Sequence, residues 1–359
     1  MTDEAHMAHA LGLGRRGLGR TWPNPAVGCV IVRDGMVLGR GWTQPGGRPH
    51  AETRALHGID ARGATAYVTL EPCAHHGHTP PCCDALIAAG VARVVTAMTD
   101  PDPRVAGKGH AALRAAGITV SEHILADQAR AANAGFLKRV TKGLPFVTLK
   151  LATSLDGRIA MASGESRWIT DAQSRRAVHA MRLTHDAVLV GSGTARADDP
   201  DLTVRDIGAS HQPLRVVIDS ALNHSPQSRL GSTARQSPVW LIHCNAPPDR
   251  QSAWRATGAT LLDCPSTIGH VDLAAAVRLL AAQGLTRILC EGGGTLAAAL
   301  IRHQLVDEIA LFSAGLLIGS EGQAALGTLG LTALQNAPRP TLQECRRLGP
   351  DTLSRWSLS

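Results

Sequence analysis

A chain of 359 residues is long for a single hydrophobic core, so we expect two domains. Hydrophobic residues make up 44% and charged residues 18% of the chain, and no apolar run approaches the length of a transmembrane helix. The formal charge of +7 comes almost wholly from residues 1–150, which hold 17 basic and 11 acidic residues, but these cations are dispersed and favour a small phosphorylated ligand over nucleic acid.

The sequence predicts a cytoplasmic protein with reduced cysteines. Its N-terminus carries early acidic residues and an apolar pattern interrupted by glycines, unlike a secretory signal. Eight cysteines are too few for a disulfide scaffold, so clustered ones are candidates for metal binding. The scattered ones are expected to be buried thiols, namely Cys29, Cys244, Cys264, Cys290 and Cys345.

The first half begins with a predicted helix from about Glu4 to Leu18, followed by a proline-rich turn. Two β-rich runs, VGCVIV and MVLGRGW, flank Asp34 and Gly35, a dipeptide that favours a hairpin. A helix start is predicted in HAETRALHG, and strand and helix patterns then alternate up to ITVSEHI. This order indicates βαβ units around a largely parallel sheet.

A second series of strands and helices begins after a connecting helix that ends at Gly143. Strand-like runs follow at PFVTLKL, DAVLVG, LRVVIDS, PVWLIHC and TRILCEGGG, and helical patterns separate them. We therefore expect one domain at residues 1–143 and another at residues 144–359.

The stretch EPCAHHGHTPPCC contains six possible metal ligands, which is more than one zinc ion takes. Together with the upstream His50, two of the cysteines, Cys73 and Cys82, would supply one imidazole and two thiolates. These three ligands leave the fourth tetrahedral position open for water. Zinc lowers the pKa of such a water, and Glu52 at a helix start can shuttle protons. The arrangement is typical of zinc deaminases, although eight residues rather than two separate the cysteines.

Each part of this motif is weak when taken alone. A His two residues before a Glu often arises by chance, and a cysteine pair also fits a structural zinc clamp or two buried thiols. Their order along the chain, at helix starts and strand ends, favours a catalytic zinc site. The prolines before Cys82 are expected to start a helix, whose N-terminus favours a thiolate.

Loops that could grip a ligand are indicated in the second domain. Lys150 lies on a predicted strand, and the polar, glycine-rich stretch after it contains Ser166 and Trp168, of which Trp168 fits a core position equally well. CEGGGTLAAAL places three glycines between a strand and a helix, where backbone N–H groups can approach phosphate, although such a turn is at least as often simple strand-to-helix geometry. Because GSGTAR does not complete the dinucleotide fingerprint, a Rossmann domain is not predicted. Asp156, Asp198 and Asp199 stand in contexts that commonly serve turns and helix caps, and Asp156 is interpreted as such a structural residue.

Several motifs together resemble one family. TWPNPAVGCVIV, HAE, VTLEPCAHHGHTPPCCDALI and MTDPDPRVAGKG look like the deaminase domain of the bifunctional riboflavin-biosynthesis deaminase/reductase, and the likeness runs through nearly the whole chain. It implies an α/β fold class, with an N-terminal cytidine-deaminase-like zinc domain and a C-terminal dihydrofolate-reductase-like domain that uses NADPH. We also expect a homo-oligomer.

For the deaminase domain the resemblance implies particular roles. The Zn²⁺ ligands would be His50, Cys73 and Cys82. The proton shuttle, Glu52, would act while water replaces an exocyclic amine of a diaminopyrimidine that bears a ribosylamino 5′-phosphate. The residues that hold the pyrimidine would be Asn24 and His75. The neighbours of the metal that do not bind it would be His76, His78 and Cys83.

Two residues depart from the family's common pattern. Thr43 stands where many members have a histidine, and His78 stands where Lys or Arg is common and would meet the substrate's phosphate. A neutral histidine is a much weaker partner for an anion than a fixed cation. The zinc chemistry is untouched, but the sequence leaves open how the phosphate is held.

For the reductase domain the resemblance implies that hydride from NADPH reduces C1′ of an opened ribose to leave a ribityl chain. The expected NADPH contacts are Ala152, Trp168, Thr194, Asp198, Ser220, Gly293, Gly294 and Thr295. The residues expected to hold the substrate are Ser166, Arg182, Leu202, Arg205 and Glu291, of which the arginines suit its phosphate. Our candidate proton donor for ring opening is Lys150, with Glu291 orienting the sugar.

Two alternative functions remain at this stage. A zinc deaminase could act on a flipped base in RNA, which a basic first domain would support. The aromatic residues of that domain and its border form no stacking array, which argues against RNA, and they are Trp22, Trp42, Tyr67, Phe136 and Phe146. The other alternative is a structural zinc module in an interaction protein.

Overall fold

A computed structural model describes residues 2–74, 80–102 and 106–358. The chain divides into two compact units, Met1–Leu144 and Pro145–Ser359, so the division lies beside Gly143. Each unit has its own β-sheet and its own hydrophobic core. Within the described ranges, no helix combines the length and the apolar character that crossing a membrane requires.

In the first unit, helices and strands alternate after an initial helix and a hairpin. The strands are β1 (Gly28–Arg33), β2 (Met36–Trp42), β3 (Thr65–Val68), β4 (Arg93–Thr96) and β5 (Thr119–Ser121). The helices are α1 (Asp3–Gly14), α2 (Ala51–Leu56), α3 (Cys82–Ala88), α4 (Lys108–Ala115), α5 (Ala126–Ala132) and α6 (Ala134–Lys142). The strands form a sheet in the order β2-β1-β3-β4-β5.

This sheet is mixed. β3, β4 and β5 are parallel, as βαβ units require, whereas β1 is antiparallel to both of its neighbours. The predicted hairpin is confirmed, with Asp34 at φ 51° and Gly35 at φ 76° between β1 and β2. The first helix is shorter than predicted, because it ends at Gly14 and a 3-10 turn that contains Gly17 follows it.

Two glycines on one face of β2 determine how closely α2 packs. A Cβ atom on Gly39 would lie 2.0 Å from the carbonyl oxygen of Ala55, and one on Gly41 would lie 2.1 Å from that of Ala51. Residues two apart on a strand share a face, so these positions let the backbone of α2 lie directly on β2. Because α2 begins immediately after His50, this contact positions the HAE motif.

The second unit is built around a long sheet. Its strands are β6 (Phe146–Ser154), β7 (Arg158–Ala160), β8 (Ala187–Gly191), β9 (Leu214–Ile218), β10 (Val239–His243), β11 (Thr260–Asp263), β12 (Ser266–Thr267), β13 (His270–Val271), β14 (Arg287–Cys290), β15 (Glu308–Ala314), β16 (Gln323–Ala324), β17 (Thr341–Leu348) and β18 (Asp351–Ser357). Its helices are α7 (Ala172–Leu183), α8 (Ser192–Asp198), α9 (Arg229–Ser232), α10 (Pro248–Ala256), α11 (Leu273–Ala282) and α12 (Gly294–Arg302).

The main sheet of this unit has the strand order β11-β10-β9-β8-β14-β6-β15-β18-β17. In this sheet, β11, β10, β9, β8, β14, β6 and β15 pair with one another in parallel. At one edge, β18 and β17 extend the sheet in antiparallel pairing. β8 and β9 are almost wholly buried, which explains their continuous apolar sequence. The expectation that Cys345 is a buried thiol is wrong, because it lies exposed on the edge strand β17.

Replacement of Gly41 by alanine should disturb the unit that carries the HAE motif. The new methyl group would overlap the carbonyl oxygen of Ala51, so we expect a loss of about 1–3 kcal/mol in the free energy of unfolding. Gly12→Ala is the matched control, because no atom lies within 4 Å of its Cβ position and alanine favours a helix. Urea denaturation checks both variants, and equal stability of the two would contradict the packing argument.

Candidate active sites

Three side chains that are distant in sequence converge in the first unit. His50 directly precedes α2, Cys82 is the first residue of α3, and Cys73 lies in the loop that follows β3. Nδ1 of His50 lies 3.2 Å from Sγ of Cys82 and 3.7 Å from Sγ of Cys73. The three donor atoms lie within 4.8 Å of one another, and no other such group of His, Cys and acidic residues occurs in the described chain.

The distances in this metal triad (His50, Cys73 and Cys82) fit a zinc ion. Tetrahedral zinc bonded to one imidazole and two thiolates places nitrogen and sulfur about 3.6 Å apart, and the two distances from His50 bracket that value. Three protein donors leave one coordination position for a non-protein ligand. The predicted place of Cys82 at a helix N-terminus is confirmed, with Pro81 immediately before it.

The two thiols of the triad differ in acidity. Hydrogen bonding from Cys82 lowers the pKa of Cys73 to about 4, although burial opposes this, and His50 adds to the lowering. The pKa of Cys82 is raised by its hydrogen bond to Cys73 and by burial. One thiolate is therefore favoured by the protein alone, and a bound cation would favour the second.

Glu52 lies in the same region on the first turn of α2. Its side chain is only 4% exposed, and burial raises its pKa, although the nearby His50 opposes the change. A carboxyl group whose pKa moves towards neutrality both accepts and releases protons readily. Its position and its burial suit the predicted shuttle.

A cavity of about 330 Å³ opens beside the triad. Asn24, Thr43 and Glu52 line it together with His50 and Cys73, and the described residues of its lining all belong to the first unit. The structure therefore brings Asn24 to the triad. The hydroxyl group of Thr43 accepts the N–H of Val27 at 3.0 Å, which ties it to the backbone. Three residues predicted between Cys73 and Cys82 lie outside the described residues: His75, His76 and His78.

Several residues of the cavity were not predicted from the sequence. Arg48 and Arg139 contribute to its lining, as do Asp100 and Asp102 from the MTDPDP stretch. Because that stretch is one of the motifs that resemble the family, it could have indicated the two aspartates as site residues. Nothing local marks Arg139, because it lies on α6 far from the zinc motif in sequence.

Glu71 also faces the cavity, and it has a clear structural role. Its buried carboxylate accepts the backbone N–H groups of Asp100 and Gly107 at one oxygen and those of Gly109 and His110 at the other, at 2.9–3.2 Å. A Cβ atom on Gly109 would lie 2.0 Å from the carbonyl oxygen of Pro72. These contacts tie the loop before Cys73 to the start of α4.

In the second unit, two predicted substrate residues form an ion pair with each other. Nε and Nη2 of Arg182 donate to the two carboxylate oxygens of Glu291 at 2.6 Å and 2.8 Å. Nη1 of Arg182 donates to the carbonyl oxygen of Thr203 at 2.7 Å. The Arg182 side chain is 12% exposed and that of Glu291 9%, so this bidentate pair is largely withdrawn from solvent.

Lys150 belongs to the same cluster. Burial lowers its pKa, while the charges of Glu291 and Asp198 oppose that change. Burial raises the pKa of Glu291, but Arg182 and Lys150 outweigh it and hold the value at about 2. Lys150 therefore releases a proton more readily than a surface lysine, beside a carboxylate that stays ionised.

A further residue of this region, His179, was not predicted. It lies on α7, one turn before Arg182, and its Nδ1 accepts the backbone N–H of Arg205 at 3.2 Å. Burial lowers its pKa, and the charges of Arg182 and Arg205 act in the same direction. The Arg205 side chain is itself paired with Asp201 at 2.9 Å.

The glycine turn predicted after a strand is confirmed between β14 and α12. The N–H of Gly191 at the end of β8 donates to the carbonyl oxygen of Gly292 at 3.0 Å. A Cβ atom on Gly293 would lie 3.0 Å from Oγ1 of Thr194. Thr194 and the predicted turn residues Gly293, Gly294 and Thr295 thus share one edge of the sheet. The free N–H groups that begin α12 suit a phosphate-bearing nucleotide.

Other predicted NADPH and substrate residues are engaged within the protein. The side chain of Leu202 is 3% exposed and packs in the core around β8 to β10. Ala152 packs beside the buried cluster that contains Phe312. The hydroxyl group of Ser220 accepts the N–H of Val271 at 3.0 Å. Any contact of Leu202 with a ligand would therefore have to use its backbone.

The structure decides between the two interpretations of Trp168 and tests the interpretation of Asp156. The core interpretation of Trp168 is wrong, because this side chain is 67% exposed and the guanidinium of Arg175 lies 4.5 Å from its ring centre. Ser166 lies two residues away and is partly buried. Asp156 is confirmed as a turn residue, since it accepts the hydroxyl of Ser154 and the N–H of Gly319.

The two sites define a zinc deaminase joined to a reductase that uses a nucleotide cofactor. Residues 1–98 match the cytidine and deoxycytidylate deaminase zinc-binding region, and residues 145–354 match the RibD C-terminal domain. The riboflavin biosynthesis protein RibD of Escherichia coli K12 is 47% identical over 365 aligned positions, which cover 98% of this chain and 98% of that protein.

Solved structures agree with this assignment. A structure of Acinetobacter baumannii RibD is 39% identical with a TM-score of 0.89 and covers 99% of this chain and 98% of its own. A Thermotoga maritima protein described as diaminohydroxyphosphoribosylaminopyrimidine deaminase/5-amino-6-(5-phosphoribosylamino)uracil reductase is 33% identical with a TM-score of 0.86, with coverage of 99% and 98%. The chain belongs to the RibD family of bifunctional riboflavin-biosynthesis enzymes, in which a zinc deaminase is joined to an NADPH-dependent reductase. The predicted family and fold class are confirmed, and the two alternative functions find no support in these comparisons.

Adjacent cysteines allow a matched test of the metal triad. Cys82→Ala should weaken zinc binding by more than about 100-fold, because even the loss of an outer partner of a ligand costs 10–100-fold. Cys83→Ala should keep one zinc per chain, since Sγ of Cys83 lies against Asp84 rather than in the triad. Zinc content after dialysis against a chelator measures both variants. Equal loss of zinc from both would contradict the assignment.

The Arg182–Glu291 pair predicts a pH-dependent contribution to stability. Glu291→Gln leaves Arg182 largely buried without its counter-charge, so near neutral pH we expect a loss of about 3–5 kcal/mol. Because the pKa of Glu291 is depressed to about 2, the wild-type advantage is full above the unfolded value of about 4.3 and declines as the pH falls towards 2.

Urea unfolding across this pH range measures the difference. Glu344→Gln is the control, because it breaks an exposed pair with Arg346 and should cost no more than about 1 kcal/mol. A difference between Glu291→Gln and wild type that grows on acidification would refute the argument.

Proposed function

We propose that this chain deaminates 2,5-diamino-6-(5-phosphoribosylamino)pyrimidin-4-one and then reduces the ribosyl group of the resulting uracil to a ribityl chain with NADPH. The description of the Thermotoga relative names both steps. The observation that carries the proposal is the convergence of the metal triad, Glu52 and Asn24 on one cavity. Its volume, about 330 Å³, lies at the lower end of the range for small-molecule sites.

In the deaminase site, His50, Cys73 and Cys82 hold the metal. When bound, zinc supplies a Lewis acid that activates water for attack on an electron-poor carbon. Glu52 takes a proton from the water as its oxygen adds to the ring carbon that bears the exocyclic amine. It delivers this proton to the ring nitrogen, then takes the second proton from the newly added hydroxyl group and passes it to the exocyclic amine, so that the C–N bond breaks, ammonia leaves and a carbonyl group remains. Asn24 orients the ring by hydrogen bonding.

In the reductase site, Lys150 donates a proton to the ribose ring oxygen as the bond from C1′ to that oxygen breaks. The exocyclic nitrogen forms a double bond to C1′ and so carries the positive charge. NADPH supplies the hydride that C1′ accepts. The ionised Glu291, held by Arg182, keeps Lys150 in its cluster and orients the sugar hydroxyls. Thr194 and the Gly293–Thr295 turn bind the nucleotide phosphates.

We place the enzyme in the cytoplasm and expect it to assemble as a homo-oligomer. A reducing compartment would keep Cys73 and Cys82 as thiols available for metal, and none of the eight cysteines forms a disulfide bond. The exposed Leu342 on the edge strand β17, together with the exposed Leu317 and Leu334, gives the second unit apolar surface that a second copy could cover.

The two half-reactions should be separable by substitution. Glu52→Gln should retain zinc and reduce deamination by about 100-fold to 10,000-fold, while Lys150→Ala should spare deamination and slow reduction by a similar factor. Mass spectrometry of the diaminopyrimidine substrate, with and without NADPH, follows both steps. Lys150→Ala with NADPH should accumulate the uracil intermediate, as wild type does when NADPH is withheld.

Other outcomes would overturn parts of the proposal. Full reduction of the uracil intermediate by Lys150→Ala would remove the role given to Lys150. Unchanged deamination by Glu52→Gln would remove the role of proton shuttle given to Glu52.

A further inference from the structure

Two arginines reach the deaminase cavity from different parts of the first unit. Arg48 lies in extended backbone just before His50, and its charge acts electrostatically on that imidazole. Arg139 lies on the last turn of α6. Both side chains are partly buried and line the same cavity as Glu52 and Cys73. Of the described residues in this lining, they are the ones with a permanent positive charge.

Two carboxylates of the cavity accept backbone N–H groups. Glu71 is engaged by four backbone N–H groups, and Oδ1 of Asp100 accepts the N–H of Asp102 at 2.9 Å. Glu52 lies beside the triad, where its proton transfers are needed. The two arginines are the cationic part of the described wall, and a fixed cation suits an anion.

We propose that Arg48 and Arg139 bind the 5′-phosphate of the deaminase substrate. The inference rests on the proposed function and assigns the group that recognises the phosphate. A substrate whose pyrimidine meets Asn24 and the triad would extend from there along the walls of the same cavity, which the two arginines line. A guanidinium is always charged and offers paired N–H donors that match phosphate oxygens.

A different role for the arginines would be to balance the charges of Asp100 and Asp102, which share the cavity wall. The two roles predict different dependence on the substrate. A phosphate-binding arginine matters only when the substrate carries a phosphate. An arginine that only supports the acidic loop affects turnover of phosphorylated and dephosphorylated substrates equally.

The test measures deamination by the full-length zinc-loaded enzyme with the phosphorylated diaminopyrimidine and with its dephosphorylated form. Arg139→Gln and Arg48→Gln should each raise KM for the phosphorylated substrate by about 10-fold to 100-fold, with little change in kcat, because each removes charged hydrogen bonds. KM for the dephosphorylated form should stay at the wild-type value. Inorganic phosphate should inhibit wild type competitively and inhibit both variants more weakly.

Arg40→Gln is the matched control, because Arg40 is exposed on β2 and lies outside the cavity lining. It should leave both KM values unchanged. Zinc content and circular dichroism of each variant show whether the site and the fold are intact.

The outcomes separate this inference from the proposed function. Equal effects of Arg139→Gln on the two substrates, or no effect on either, would overturn the phosphate role while leaving the deaminase assignment in place. Absence of deamination of either substrate by the wild-type enzyme would instead overturn the proposed function. A similar rise of KM in Arg40→Gln would show a general charge effect and also refute the inference.

Discussion

The deaminase site depends on the direct contact between the backbone of α2 and the face of β2. Gly39 and Gly41 make this contact possible because a side chain at either position would overlap the helix carbonyls. The helix carries Glu52, and His50 immediately precedes it, so one packing interaction places a metal donor and the proposed proton shuttle. Opposite them, the N–H of Cys83 donates to the carbonyl oxygen of Cys73 at 3.2 Å and holds the two cysteine segments together.

The second unit arranges its candidate residues differently. Parallel strands end at a common edge, and β8, β14 and their following helices bring Thr194 to the glycine turn there. An ion pair, rather than a metal, holds the residues around Lys150 together. Arg182 holds Glu291 by two hydrogen bonds, and the resulting carboxylate opposes the loss of the proton from Lys150.

Local sequence carried much of the information about the first site. His50 and Glu52 are two residues apart at a helix start, and Pro81 marks the helix that begins at Cys82, so motif and capping rules were sufficient. Arg139 and the four backbone N–H groups that donate to Glu71 could not be found in this way, because packing between distant segments brings Arg139 to the cavity and these donors to the Glu71 carboxylate.

The second unit shows the same limit. Residue types suggested that Arg182 and Glu291 meet a ligand, but 109 positions separate them and the sequence held no sign that they pair with each other. The surface position of Trp168 was equally hidden, since an indole next to polar residues fits both core and surface.

The described residues that line the deaminase cavity precede the division of the chain, and the cluster around Lys150 follows it. The uracil product of the first cavity is therefore the substrate of residues that belong to the other unit. Its phosphate is unchanged by deamination, so the proposed contacts with Arg48 and Arg139 would have to release this group before the second unit binds the product. The affinity of the first cavity for this phosphate then has an upper limit, because binding that is too tight would slow release of the uracil product and so delay its reduction.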